Sequence, residues 1–336
     1  MEQCLGAGLM PAMIEIDNLR KTFGETLALD GLTFTADEAR VFALLGPNGS
    51  GKTTTVRILA TLLMADSGRA AIGGVDVREH PVAVRRMIGL AGQHAAVDET
   101  LTGYENLLMI GRLYRLSARA ARKSAAEVLE RLSLTDAAQR PVRTYSGGMR
   151  RRLDVGASLV GRPRVLLLDE PSAGLDPGAR LELWSFLRNL LLDGTTILLT
   201  TQQLEEADQL ADTVTIIDHG KVIAEGSPAE LKARLGTETI EITLADPLEL
   251  HAATRTVLAL AVQPIESDLS AGRMTFKAHA GTKALPAAVR LLDDAQIAVE
   301  DVTALRPSLD DVFLSVVGRP AQPGDAHQGG KEVIKR

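Results

Sequence analysis

At 336 residues, 45% of them hydrophobic and 24% charged, the chain has the composition of a soluble globular protein of about two domains. A formal net charge of −6 argues against a dedicated nucleic-acid binder, and the single cysteine, Cys4, excludes an intrachain disulfide and fits a reducing cytosol. No apolar run approaches the roughly 18–20 residues that cross a bilayer, and no basic region followed by an apolar core marks a secretory signal. The sequence therefore predicts that any link to a membrane runs through a partner.

Met10 and Met13 are alternative starts, so residues 1–12 read as an extension. From Met13 to Leu19, Ile14 and Ile16 alternate with Glu15 and Asp17, the pattern of a half-buried strand. A second strand-like segment surrounds Leu32-Thr-Phe34, and the two predict an antiparallel β-subdomain at the start of the chain.

Arg40-Val-Phe-Ala-Leu-Leu45 is a short apolar run of the kind that forms a buried parallel strand. It leads into Gly46-Pro47-Asn48-Gly49-Ser50-Gly51-Lys52-Thr53-Thr54, which fits G-x-x-x-x-G-K-[ST], and then into a helix-periodic stretch to Met64. A strand, a glycine-rich loop and a helix in that order form a phosphate cradle. The glycines let backbone N–H groups crowd phosphate oxygens, and the helix N-terminus adds partial positive charge. Lys52 is placed to reach the β- and γ-phosphates, and Thr53 to ligate Mg²⁺. Phe23, on the preceding loop, has two readings from pattern alone: a ring stacked on adenine or a core phenylalanine.

Arg85 to Gln93 reads as a further strand, and 101–116 and 118–132 as helices. Tyr145-Ser146-Gly147-Gly148-Met149 then opens a helix to about Val160, with Ser146 as N-cap and the glycines exposing backbone donors, a second anion-binding helix terminus. The run Arg150-Arg151-Arg152 is expected to be a solvated face. Arg164 to Leu168 is an apolar strand closed by Asp169 and Glu170, where ligands bind at the carboxyl ends of open α/β sheets. Asp169 can hold Mg²⁺ through water, and Glu170 can orient or deprotonate an attacking water. Asp176-Pro177 turns into a helix over 179–192. A buried strand over 195–200 precedes Gln202, and His219-Gly220 joins a hairpin in which His219 is an exposed turn residue.

With these residues assembled, the chain resembles the ATP-binding-cassette family of ATPases over residues 13–235. The motifs fall in the family's order: Phe23, the phosphate loop at 46–54, Gln93, the signature Tyr145 to Met149, the strand and acidic pair at 165–170, the turn at 172–176 and Gln202. The signature reads Y-S-G-G-M, and Gln202 stands where the family usually has histidine. With Gly92 to Asp98 and Ser308-Leu-Asp-Asp-Val-Phe-Leu314, these details resemble the daunorubicin/doxorubicin-resistance type of exporter ATPase.

The resemblance implies an α/β fold: a P-loop NTPase cassette with a RecA-like parallel-sheet core, an antiparallel β-subdomain and a helical subdomain. ATP and Mg²⁺ are the implied cofactors. Catalysis falls to Glu170, Lys52 and Gln202, the last as a γ-phosphate sensor because glutamine donates an amide hydrogen bond but takes up no proton. Thr53, Gln93 and Asp169 are the implied metal ligands. Nucleotide contacts fall to Phe23, Gly46, Asn48, Gly49, Ser50, Gly51, Lys52, Thr53, Thr54, Gln93, Ser146, Gly147, Gly148 and Asp176. The implied assembly is a head-to-tail homodimer. In it Ser146, Gly147 and Gly148 of one copy face the γ-phosphate held by Lys52 of the other. Two copies of a membrane permease would dock beside Gln93 to Asn106. The chain would then sit peripherally on the cytoplasmic face of the plasma membrane and power efflux of an anthracycline-like hydrophobic drug. Export of a lipid or glycolipid is the alternative, and a soluble non-transport ATPase the rival from another class; no nucleic-acid partner is expected.

Beyond Gly236 the pattern changes to strands over 238–243, 273–278 and 297–305 and helices over 248–260, 282–293 and 312–317, a small α+β domain at 236–317. Ser308 to Asp311 forms a capping box before the last helix. A dimerisation module, a regulatory site and a brace on the cassette are the roles open to this domain, with support of the dimer favoured, and the Gly- and Pro-rich residues 318–336 are expected to be a disordered tail.

Overall fold

The computed structural model describes residues 12–92, 96–279, 284–305 and 307–317. The expected extension (apart from Ala12), Gln93 and the expected tail therefore lie outside the described residues. The chain divides into two compact units, the first ending at Leu231 and the second beginning at Lys232.

The first unit opens with β1 (Ile14–Phe23) and β2 (Thr26–Ala36), then β3 (Val41–Leu45), whose five residues are all buried, and α1 (Lys52–Leu59). Strands β4 (Ser67–Ile72) and β5 (Val75–Asp76) return the chain to β1, giving a four-stranded sheet in the order β2-β1-β4-β5. The antiparallel subdomain thus takes half its strands from after the phosphate loop. Their short runs, broken by Gly68, Gly73 and Gly74, carry little alternation to read. Helix α1 ends at Leu59, short of Met64, and leaves Leu62 and Met64 exposed at 66% and 63%. Likewise 85–87 are not strand: they end α2 (Pro81–Met87), and β6 covers only Ile88–Ala91.

Helices α3 (Gly103–Leu113), α4 (Ala118–Arg131) and α5 (Gly147–Leu159) pack on one another as a helical subdomain. A reciprocal Thr102–Glu105 capping box starts α3. Next come β7 (Val165–Asp169), α6 (Pro177–Leu191), β8 (Thr196–Thr201), α7 (Leu204–Leu210), β9 (Thr213–Asp218) and β10 (Lys221–Gly226). The second sheet runs β10-β9-β3-β8-β7-β6, parallel throughout except for the β10 edge. Its middle strands are buried along their whole length, which explains why they read as unbroken apolar runs rather than alternations. The two sheets share one core, where Phe34 of β2 stacks on Phe42 of β3 at 4.8 Å between centroids.

Helix α8 (Pro228–Arg234) carries the chain into the second unit. There β11 (Thr237–Leu244), α9 (Leu250–Val257), β12 (Glu266–Asp268), β13 (Arg273–His279), α10 (Ala284–Asp294) and β14 (Val299–Leu305) follow, with α11 (Leu309–Val317) last. The sheet order β12-β13-β11-β14, all antiparallel, makes a βαββαβ ferredoxin-like arrangement. Ile240, Ile242, Met274 and Phe276 point inward against Ala253, Val257, Ala288 and Leu292 of the two helices. The expected capping box forms: the Asp311 amide donates to Ser308 Oγ at 3.2 Å, and the Ser308 amide to Asp311 Oδ2 at 2.9 Å.

Candidate active site

Three neighbouring parallel strands, β3, β8 and β7, deliver their carboxyl ends to one edge of the sheet. The phosphate loop follows β3, Gln202 follows β8, and Asp169 and Glu170 close β7. This is the edge at which open α/β sheets bind ligands.

The loop is shaped by what cannot carry a side chain. A Cβ at Gly46 would lie 2.2 Å from the Ile217 carbonyl oxygen and 2.7 Å from Ser50 Oγ. Gly51 sits at φ +107°, and a Cβ there would lie 2.6 Å from Leu29 Cδ2. Lys52 starts α1 and is buried, its ammonium donating to the Gly46 and Pro47 carbonyls at 2.8 and 2.9 Å. Burial holds its pKa below the ordinary lysine range, opposed by the carboxylates of Glu170 and Asp169. Ser50 Oγ is buried with no hydrogen-bond partner, an open polar group inside the loop. Asn48 and Gly49 are exposed at its tip.

Asp169 is buried, and its Oδ1 accepts from Thr53 Oγ1 at 3.1 Å and from Thr200 Oγ1 at 2.5 Å. Glu170 adopts φ +49°, a left-handed conformation that costs a residue with a side chain about 1–3 kcal/mol. Its amide is held by the Thr200 carbonyl oxygen at 3.1 Å and by Thr200 Oγ1 at 3.2 Å. Gln202 is exposed one residue past β8. Thr200 escaped the sequence reading, although two threonines closing an apolar strand repeat the signal that marked Asp169 and Glu170.

Ser146 caps α5, accepting the Met149 amide at 3.2 Å, with Ser146 and Gly147 exposed and Gly148 buried against Ala179. Asp176 caps α6 through the Ala179 amide at 3.0 Å. Phe23 is not a core residue: it is 47% exposed at the end of β1, with Lys21 Nζ 5.5 Å from its ring centroid.

The arginine run departs most from expectation. The side chains of Arg151 and Arg152 are only 12% and 15% exposed, and Arg150, at 34%, pairs with Glu99 at 2.7 Å. Successive helix residues point about 100° apart, so three adjacent arginines cannot share a face. Two of them turn inward, onto backbone carbonyls rather than solvent. Arg151 reaches Gly92, Asp169, Glu170, Pro171 and Asp154, while Arg152 reaches Leu132 O and Glu182. Asp154 is buried too, and burial pushes its carboxyl above the ordinary aspartate range despite the Ala96 amide and the Arg151 charge.

A family model described as ABC transporter matches residues 29–173, and one described as the C-terminal domain of DrrA1-3-like ATP-binding proteins matches residues 226–317. The daunorubicin resistance ATP-binding protein DrrA2 of Streptomyces coeruleorubidus is 47% identical over 94% of this chain and 98% of its own. The chain belongs to the ABC transporter family. The daunorubicin/doxorubicin resistance ATP-binding protein DrrA of Streptomyces peucetius is 44% identical over 95% of this chain and 96% of its own. A dimeric ATP-binding cassette solved in a post-hydrolysis state with ADP and Pi superposes with a TM-score of 0.58. It is 26% identical and covers 64% of this chain and 98% of its own. The present cassette is accordingly a nucleotide-binding ATPase. No helix among the described residues is long and apolar enough to cross a membrane.

Proposed function

We propose that this ATPase is the energising subunit of a drug exporter, working as a head-to-tail homodimer on MgATP and driving a separate membrane permease present in two copies. The observation that carries the reading is the convergence of Lys52, the Asp169–Glu170 pair and Gln202 at the ends of three adjacent strands. The site fits its cofactors. Ser50 Oγ, buried without a partner, offers an open donor to phosphate, and the Thr53 hydroxyl beside the Asp169 carboxylate is a hard-oxygen pair of the kind Mg²⁺ takes. Bound there, the metal would neutralise charge developing on the phosphates.

The chain's own groups supply the rest. Lys52 holds the β- and γ-phosphates, and Glu170 orients or deprotonates the attacking water. Gln202 senses the γ-phosphate, and the half-exposed ring of Phe23 stacks on the adenine. In the homodimer, Ser146 and the two glycines after it present the α5 N-terminus to the γ-phosphate of the second copy, which makes ATP the glue that closes the pair. The dimeric ADP-bound relative supports this assembly. The relatives named for daunorubicin resistance support a hydrophobic, anthracycline-like cargo, and a permease partner would hold the chain at the cytoplasmic face.

Glu170→Gln tests the mechanism: ATP binding is kept, turnover is lost, and a dimer accumulates at saturating MgATP in size-exclusion chromatography. Wild-type turnover in that variant removes Glu170 from its role, and a monomer at saturating nucleotide removes the homodimer. Stimulation of ATPase activity in the reconstituted pair by daunorubicin, and not by phospholipid, tests the cargo.

A further inference from the structure

The guanidinium of Arg151 has five N–H donors, and each of the five finds an acceptor. Nε donates to the Pro171 carbonyl at 2.7 Å; Nη1 donates to the Gly92 carbonyl at 2.8 Å and to Asp154 Oδ2 at 3.2 Å; Nη2 donates to the Glu170 carbonyl at 3.1 Å and the Asp169 carbonyl at 3.4 Å. Asp154 spends its other oxygen, Oδ1, on the Ala96 amide at 2.6 Å. The two side chains are 12% and 1% exposed.

The placement of these bonds is informative. Three of the acceptors are the consecutive carbonyls of Asp169, Glu170 and Pro171, so the guanidinium grips the backbone at and on both sides of the left-handed Glu170. The other contacts, Gly92 and Ala96, belong to the loop after β6. One ion pair, rooted in α5, therefore fastens the end of β7 to the loop after β6. A buried charge pair of this kind adds little net stability, because desolvation offsets its attraction. A fork with five fixed donors is also a group that lysine, with three donors on one nitrogen, does not reproduce.

We propose that Arg151, held by Asp154, is a positioning residue for ATP hydrolysis: it fixes the Glu170 backbone so that the carboxylate meets the attacking water. The inference rests on the reading of Glu170 as the group that handles that water. All five donors of Arg151 are taken by protein acceptors. Its effect reaches the reaction through the backbone of Glu170.

Arg151→Lys in the full chain keeps a cation opposite Asp154 and loses the fork. The expected result is a kcat at least tenfold lower, since small misplacements of a catalytic group are that costly, with ATP affinity close to wild type and a melting temperature lowered by the lost donors. A kcat within about twofold of wild type overturns the proposal. Where the lysine variant folds poorly, Arg151→Met with Asp154→Asn removes both charges and keeps an acceptor for the Ala96 amide. That double variant is expected to melt near wild type without regaining kcat, and recovery of kcat overturns the proposal. A mutant cycle separates this idea from the one beneath it. In single-turnover assays on a Glu170→Gln background, Arg151→Lys is expected to add no further loss, and a full additional loss shows that Arg151 acts elsewhere. Failure of the Glu170 reading instead appears as turnover in Glu170→Gln alone.

Discussion

Thr200 is a hydroxyl on which two site residues depend. Its Oγ1 donates to Asp169 Oδ1 at 2.5 Å and accepts the Glu170 amide at 3.2 Å, and the residue is fully buried. Thr200→Val keeps the shape and deletes the hydroxyl. The Glu170 amide retains the Thr200 carbonyl at 3.1 Å, and Asp169 retains Thr53 at 3.1 Å, so the loss is chiefly one hydrogen bond to a carboxylate. Such a bond is worth about 1.5–3 kcal/mol. For a unit of this size each kcal/mol moves the melting temperature by about 2–4 °C, so a loss near the middle of that range predicts a drop of about 4–8 °C.

Differential scanning calorimetry of the full chain reads this as a shift of the first unit's transition. Thr200→Ser is the control, because it keeps the hydroxyl and deletes one buried methyl, worth about 1 kcal/mol. The serine variant is expected to melt above the valine variant and to keep more ATPase activity. A valine variant that melts within about 1 °C of wild type refutes the reasoning, because the hydroxyl would then hold neither residue.

Gly46→Ala places a Cβ 2.2 Å from the backbone oxygen of Ile217, so the loop must shift. ATP affinity measured by equilibrium dialysis is expected to fall at least tenfold, with the fold intact by circular dichroism. Phe23→Ala removes a half-exposed ring that supports no core, so nucleotide affinity is expected to fall while the melting temperature stays. Gln202→Ala is expected to slow single-turnover hydrolysis and spare binding; unchanged kinetics would make Gln202 structural. Burial raises the Glu206 pKa, opposed by the nearby Thr201 and Ser172 hydroxyls, the hydrogen bond from the Trp184 indole and the Arg180 charge. The stability it contributes is full below the ordinary glutamate range and is lost as pH rises through the raised value. Glu206→Gln is therefore expected to gain on wild type in urea midpoint as pH rises above the ordinary glutamate range, and a pH-independent difference contradicts this.

The sequence made legible those features in which local chemistry and global fold agree. The phosphate loop was readable because glycines, lysine and hydroxyls sit together in the chain between an apolar strand and a helix. Asp169 and Glu170 stood out as charges ending a fully apolar run. Ser146 was readable as a cap because capping is local. Other features were hidden for definite reasons. Strands β4 and β5 are short and glycine-broken, and the pairing of β4 with β1 that carries them into the sheet spans the whole phosphate loop. The exposed leucine and methionine after α1 continue a helical period that the backbone abandons at Ala60.

The arginine run marks the boundary between what a sequence states and what packing decides. Adjacent like charges usually mean solvent because a buried charge must be paired, and nothing within the run pairs it. The pairing was nevertheless written at i and i+3, in Arg151 and Asp154, a spacing that shares one helix face. Such a pair reads equally well as a surface ion pair. Only the fold supplies the Gly92, Asp169, Glu170 and Pro171 carbonyls that turn it inward. Those acceptors come from the ends of β6 and β7, two strands separated in the chain by the whole helical subdomain yet adjacent in the sheet. An arginine that waits on two distant loops cannot be read from its neighbours in sequence, and that same dependence lets it hold both loops in register.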